Sequence, residues 1–167
     1  MFLCNLWVGL VFGQKAPEIN KSKFSKAALS QMVYKVNGDS LSVKKVLKQH
    51  RGTVVVLDLW AVWCKDCLAV MEDNHKLKER FPDVKFIYLS LDRSDTAWYK
   101  ALEKYHLTNE ENYWFKSGWK NSFNNYIDLN WIPRYLVLNK KGAISGYYFV
   151  HPKDETFIAL LNRLTKK

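Results

Sequence analysis

Hydrophobic positions run unbroken from Val54 to Leu57, return at Leu59, and are β-branched over the first three. A strand with one wet face alternates apolar and polar residues, so this run predicts a central strand covered on both sides, with the character of a parallel sheet. "VKFIYLSLD" predicts a second such strand. Between them, Leu68, Met71, Leu77 and Phe81 stand in a charged background and predict one helix that ends before Pro82-Asp83. Trp98, Ala101, Leu102 and Tyr105 fall at i, i+3, i+4 and i+7, the apolar stripe of a helix capped by Ser94 or Asp95.

Weaker patterns fill the rest. "QMVYKVNGDSLSV" predicts a strand, a turn at Asn37-Gly38 and a further structured segment, and "LSVKKVLKQHRG" a short helix or extended arm stopped at Gly52. The aromatic and asparagine-rich stretch from Leu107 to Trp131 predicts a loop with a short helix near Trp119 to Tyr126. "PRYLVLN" and "AISGYYFV" flank a "KKG" turn and predict an antiparallel hairpin. Phe157, Leu160, Leu161 and Leu164 then mark a closing helix. In order, a βαβα unit followed by ββα makes an α/β sandwich with a central mixed β-sheet flanked by helices, behind an extra N-terminal strand pair. At 167 residues the chain fits one such domain, taken as residues 35–167, after a leader at 1–13 and an irregular basic lead-in at 14–34.

The first strong strand runs into Cys64-Lys65-Asp66-Cys67, where two thiols a helical turn apart suit a redox couple or half of a zinc site. Cys64 falls where strand gives way to helix, so its sulfur meets unpaired backbone N–H groups that favour a thiolate. Cys67, one turn on, is placed to attack a mixed disulfide formed at Cys64. Lys65 would favour the Cys64 thiolate and Asp66 would oppose it, both from solvent. A second zinc half has no spacing to come from, since Cys4 and four dispersed histidines are the only other candidates. No metal site is expected, and the histidines read as surface or helix-face residues.

"DLWAVWCKDC" resembles the active-site segment of the thioredoxin superfamily, with Trp60, Ala61, Trp63, Cys64 and Cys67 at that family's positions. Ile132-Pro133, ahead of "RYLVLN", resembles its cis-proline segment, which implies a cis bond beside the cysteines and backbone groups offered to a substrate chain. The resemblance also implies that Asp58, a carboxylate within the buried strand, handles the proton of Cys67; burial raises a carboxyl pKa and suits it to that task. Trp63 is expected to wall the site. The layout is similar to the TlpA/ResA-like branch of exported bacterial thiol-disulfide oxidoreductases from about Lys35 onward. It departs from many relatives in lacking a proline between the cysteines. What this implies is exchange of disulfides with protein thiols and an upstream dithiol reductant, by a monomer with no cofactor beyond the Cys64–Cys67 disulfide. A thiol-dependent peroxidase on the same fold and a non-catalytic binding module stand as alternatives.

Charge and composition refine the setting. The formal charge is +10, and residues 14–51 hold nine Lys or Arg against Glu18 and Asp39. Those cations are scattered singly with no nucleic-acid-binding signature, so nucleic acid is not an expected partner. "MFLCNLWVGLVFG" has the length of a signal-peptide core and is too short to span a bilayer, but no cation precedes Lys15. It predicts export to the bacterial periplasm or cell envelope, with peripheral membrane association through the N-terminus. Removal of that leader would leave Cys64 and Cys67 as the cysteines, a pair able to oxidise together.

Overall fold

The computed structural model describes residues 16–17 and 21–166; the expected leader at 1–13 lies outside the described residues. Among the described residues the first elements are helix α1 (Lys26–Ser30) and the antiparallel hairpin of β1 (Met32–Tyr34) and β2 (Ser40–Ser42), closed over Asn37-Gly38 with Gly38 at φ 85°. Helix α2 (Val43–Gln49) follows directly, its first turn held by Ser42, whose hydroxyl accepts from the Lys45 N–H. Strand β3 (Val54–Trp60) then leads through α3 (Lys65–Ala69) and α4 (Met71–Arg80) to β4 (Val84–Ser90), α5 (Asp95–Lys104) and β5 (Glu111–Trp114). The chain closes with α6 (Ser122–Tyr126), β6 (Arg134–Leu138), β7 (Ile144–Phe149) and α7 (Glu155–Thr165).

One seven-stranded sheet carries these elements in the order β2-β1-β5-β4-β3-β6-β7. β5, β4 and β3 run parallel, and every other pairing is antiparallel, so the expected mixed sheet is present. All seven residues of β3 are buried, as its continuous apolar run required of a strand flanked by β4 and β6. Helix α5 starts at Ser94, whose hydroxyl accepts from the Ala97 N–H, and buries Trp98, Ala101 and Leu102 as its stripe demanded. In α7, Phe157, Leu160 and Leu161 are buried behind an Asp154 cap.

Three local expectations are corrected. The lead-in expected to be irregular at 14–34 contains α1, because Ser25 caps a turn that buries Ala28, and its last residues form β1, the strand expected in "QMVYKV". The helix after Cys67 is two helices, broken at Val70, which leaves α-helical geometry at φ −101°, ψ 5°. The stretch from Leu107 also contributes β5, parallel to β4, before α6 begins at Ser122. Its signal was hidden by polar residues whose partners lie outside the strand. Glu111 meets His50 and Lys85, both at 2.9 Å, and the Asn112 amide donates to the Leu107 and Glu110 carbonyls. His50 is accordingly a partly buried hydrogen-bonding partner of Glu111.

β7 contains Gly146 where α7 crosses it. A Cβ there would stand 2.7 Å from Leu160 Cδ2 and closer still to the Phe149 ring, which stacks on Phe157. Gly146→Ala should therefore cost about 1–3 kcal/mol through overpacking. The check is a lower urea midpoint at unchanged slope; an unchanged midpoint would mean that the ring moves aside freely.

Candidate active site

The site forms at the carboxyl ends of the parallel strands, where crevices open in α/β sheets. After β3 the chain turns through Ala61-Val62-Trp63, and Val62 N–H donates to Asp92 Oδ1 at 2.9 Å, tying this turn to the one after β4. Burial raises the Asp92 pKa. Cys64 is the N-cap of α3, and its sulfur accepts from the Cys67 N–H at 3.1 Å. That donor is one of the helix-start amides the sequence pointed to, and it favours negative charge on Cys64.

Cys64 and Cys67 are joined as a disulfide, with Cα atoms 5.3 Å apart. Cys64 keeps 4% exposure against 1% for Cys67, so an incoming sulfur has its access at Cys64. The Ile132–Pro133 bond is cis, and the Ile132 carbonyl oxygen lies 3.3 Å from Cys64 Sγ. The structure thus brings the distant proline segment against the cysteine pair. Trp63 is 44% exposed at the rim, and Lys65 and Asp66 face solvent.

Asp58 lies inside the sheet at 1% exposure, level with Tyr88 on β4 and Tyr135 on β6. Burial pushes its pKa up to about 8. Asn74 Nδ2 donates to its Oδ2 at 3.1 Å. Since Asn74 sits on α4, the helix that follows α3 and its Cys67, this bond aims the carboxyl at the helix side of the strand. Both tyrosines have raised pKa values from burial, with the Asp58 charge adding to it, and so stay protonated.

Several contacts were not foreseen. Trp131, half exposed, donates from Nε1 to Asp66 Oδ2 at 3.1 Å, linking the proline loop to the dipeptide between the cysteines. Arg134, directly after Pro133, is buried; its Nη2 donates to Asn130 Oδ1 at 2.7 Å and its guanidinium covers the Tyr148 ring at 4.1 Å. It braces the proline loop from below. Asn74 and Arg134 carried no sequence signal, since each sits in an ordinary helix or strand pattern. Among the described residues, no three His, Cys, Asp or Glu gather as a metal site, and no helix is long and apolar enough to cross a membrane.

Comparison with known proteins gives consistent matches. Thioredoxin from Ophiophagus hannah is 31% identical over 58 residues, covering 35% of this chain and 55% of that protein. The thioredoxin-like protein YneN of Bacillus subtilis is 30% identical over 105 residues, covering 60% of this chain and 52% of that protein. The chain therefore spans about half the length of the curated relatives it matches. A Bacteroides vulgatus protein described as a thiol-disulfide oxidoreductase superposes with a TM-score of 0.69 at 25% identity, over 84% of this chain and 90% of its own. The family model described as thioredoxin-like matches residues 52–144, from the turn before β3 through the cysteine pair and the cis-proline to the start of β7. A match over more than half of the chain, with the disulfide at the head of α3 inside it, shows that this chain belongs to the thioredoxin-like family.

Proposed function

We propose that this protein is a thiol-disulfide oxidoreductase of the TlpA/ResA-like type, acting on protein substrates. The observation that carries the reading is the Cys64–Cys67 disulfide at a helix start, packed against the cis Ile132–Pro133 segment. Starting from the dithiol, the Cys64 thiolate attacks one sulfur of a substrate disulfide. A Cys64–substrate S–S bond forms, the substrate S–S bond breaks, and one substrate sulfur leaves as a thiolate. Cys67 then gives its proton to Asp58 and attacks Cys64. The Cys64–Cys67 bond closes, and the second substrate sulfur leaves. Asp58 at about 8 lies near an ordinary thiol at roughly 8.5, so the proton transfer between them is nearly balanced. Two electrons pass to the substrate, and an upstream dithiol protein returns them.

Within the same proposal, the Ile132–Pro133 backbone and Trp63 hold the substrate chain, and Lys65 and Asp66 tune the Cys64 thiolate. No other cofactor takes part, and the protein acts as a monomer. Export to the periplasm or cell envelope, with peripheral membrane contact through the N-terminus, is supported by the apolar run at 1–13. The test is a redox titration against dithiothreitol with thiol counting, coupled to reduction of insulin disulfides. The couple should interconvert reversibly with two thiols from Cys64 and Cys67, and insulin should be reduced. A pair that cannot be reduced and reoxidised, or peroxide consumption without disulfide exchange, would overturn it.

A further inference from the structure

Beside the disulfide, the ends of all three parallel strands enclose a groove of about 400 Å³. Trp63 comes from the turn after β3, Leu91, Asp92 and Arg93 from the turn after β4, and Lys116 to Trp119 from the loop after β5. Trp63 and Trp119 pack against each other along its wall, with ring centroids 6.3 Å apart and planes tilted by 47°. Trp63, which lines the groove, is the residue that precedes Cys64, so the groove adjoins the cysteine pair along the chain.

Its far wall is built in advance. Gly118 turns the chain at φ 62°, and the Asn121 and Asn124 side-chain amides both donate to its carbonyl, at 2.9 and 3.3 Å. Asn124 Nδ2 also donates to the Trp119 carbonyl at 2.9 Å, and Asn121 caps α6. The asparagines of this stretch thus fix Trp119 in place, so a bound chain does not have to order it. Trp114 Nε1 donates to the Asp92 carbonyl at 2.8 Å and joins the loop ends after β4 and β5.

The charge at the groove is one-sided. Arg93 and Lys116 are exposed, and among the described residues neither pairs with a carboxylate. Lys116 rests its ammonium over the Tyr34 ring, 5.8 Å from its centre. Asp92 does not offset them at the surface. Its carboxylate is buried, accepting from Val62 N–H and from the Ser90 hydroxyl at 2.8 Å.

We propose that this groove is a substrate subsite that takes an extended polypeptide with an acidic side chain next to its reactive cysteine. The substrate's backbone and apolar atoms lie against the Trp63–Trp119 pair, and its carboxylate meets Arg93 and Lys116. The proposal rests on the redox reading above and names the substrate class for it.

Disulfide-linked dimers of one short peptide, with glutamate, glutamine or lysine on both sides of the cysteine, provide the test. The reduced protein should turn over the glutamate peptide with kcat/KM about tenfold above the lysine peptide, the sum expected of two partly exposed ion pairs. The difference should sit in KM and shrink in 0.5 M salt, where the Debye length is about 4 Å against about 10 Å at 0.1 M. Arg93→Glu/Lys116→Glu should reverse the order of the peptides; because each ratio is measured on one protein, a general loss of folded enzyme cancels. Equal kcat/KM for all three peptides, or a preference untouched by the charge reversal, would overturn the subsite while leaving the redox reading standing. Failure to reduce any peptide, with no reversible Cys64–Cys67 couple, would remove both.

Discussion

Cys64→Ser abolishes insulin-disulfide reduction, while Cys67→Ser protein accumulates as mixed disulfides with its substrates: this pair of opposite outcomes is the largest effect expected. The two sulfurs are not equivalent. Cys64 has the N-cap position, the Cys67 N–H at 3.1 Å and the greater exposure, and the Ile132 carbonyl lies beside it. A serine hydroxyl at that position is not ionised near neutral pH and forms no disulfide, so the first S–S bond never forms and activity should fall by about 10³-fold or more. Removing Cys67 leaves that first attack intact but takes away the resolving sulfur. Non-reducing gels and intact-mass measurement should then show a covalent adduct at Cys64 that dithiothreitol releases. Turnover by Cys64→Ser, or adducts that accumulate on Cys67 in preference, would reverse the assignment.

The parts of this machinery differ in how far they could be read from residue order, and each difference has a physical cause. β3, β4, α5 and α7 were legible because burial imposes a periodicity, and a run such as Val54–Leu59 admits few alternatives. The cysteine pair was legible because its chemistry is local: a strand end and one helical turn set it. The cis-proline segment is different. Nothing near Ile132 indicates that it packs on Cys64, 68 residues earlier, and only family resemblance linked them. β5 was missed because Glu111 and Asn112 break the strand pattern, and their partners lie outside the strand: His50 and Lys85 elsewhere in the fold, and the Leu107 carbonyl in the turn before it. That miss had a consequence at the site. Without β5 as a third parallel strand, the loop at 115–121 could not be placed at the same sheet end as Cys64, and the packing of Trp119 against Trp63 stayed hidden.

Replacing Asp58 should both slow the enzyme and stabilise it, with opposite dependence on pH from an ordinary salt-bridged carboxylate. Its folded pKa of about 8 stands above the ordinary 3.8, raised by burial. Below about pH 4 the carboxyl is protonated folded or unfolded and costs nothing. From about 4 to 8 the folded state holds a proton that the unfolded state has released, so stability falls as pH rises. Above 8 both states are ionised and the loss levels off. At 1.36 kcal/mol per pH unit, the span from 3.8 to about 8 makes the full loss about 6 kcal/mol. Asp58→Asn keeps the shape and removes the titration. Its unfolding free energy should match wild type more closely at pH 4 and exceed it by several kcal/mol at pH 9, as read from denaturant curves. In the wild type, the step in which Cys67 displaces substrate should quicken as Asp58 ionises, with an inflection near pH 8, and the variant should lose that inflection and run about 10²-fold slower. A variant with unchanged resolution kinetics would leave Asp58 as a destabilising buried acid with no part in the reaction, whereas slowing together with the lost inflection ties the instability at β3 to the proton that Cys67 must shed.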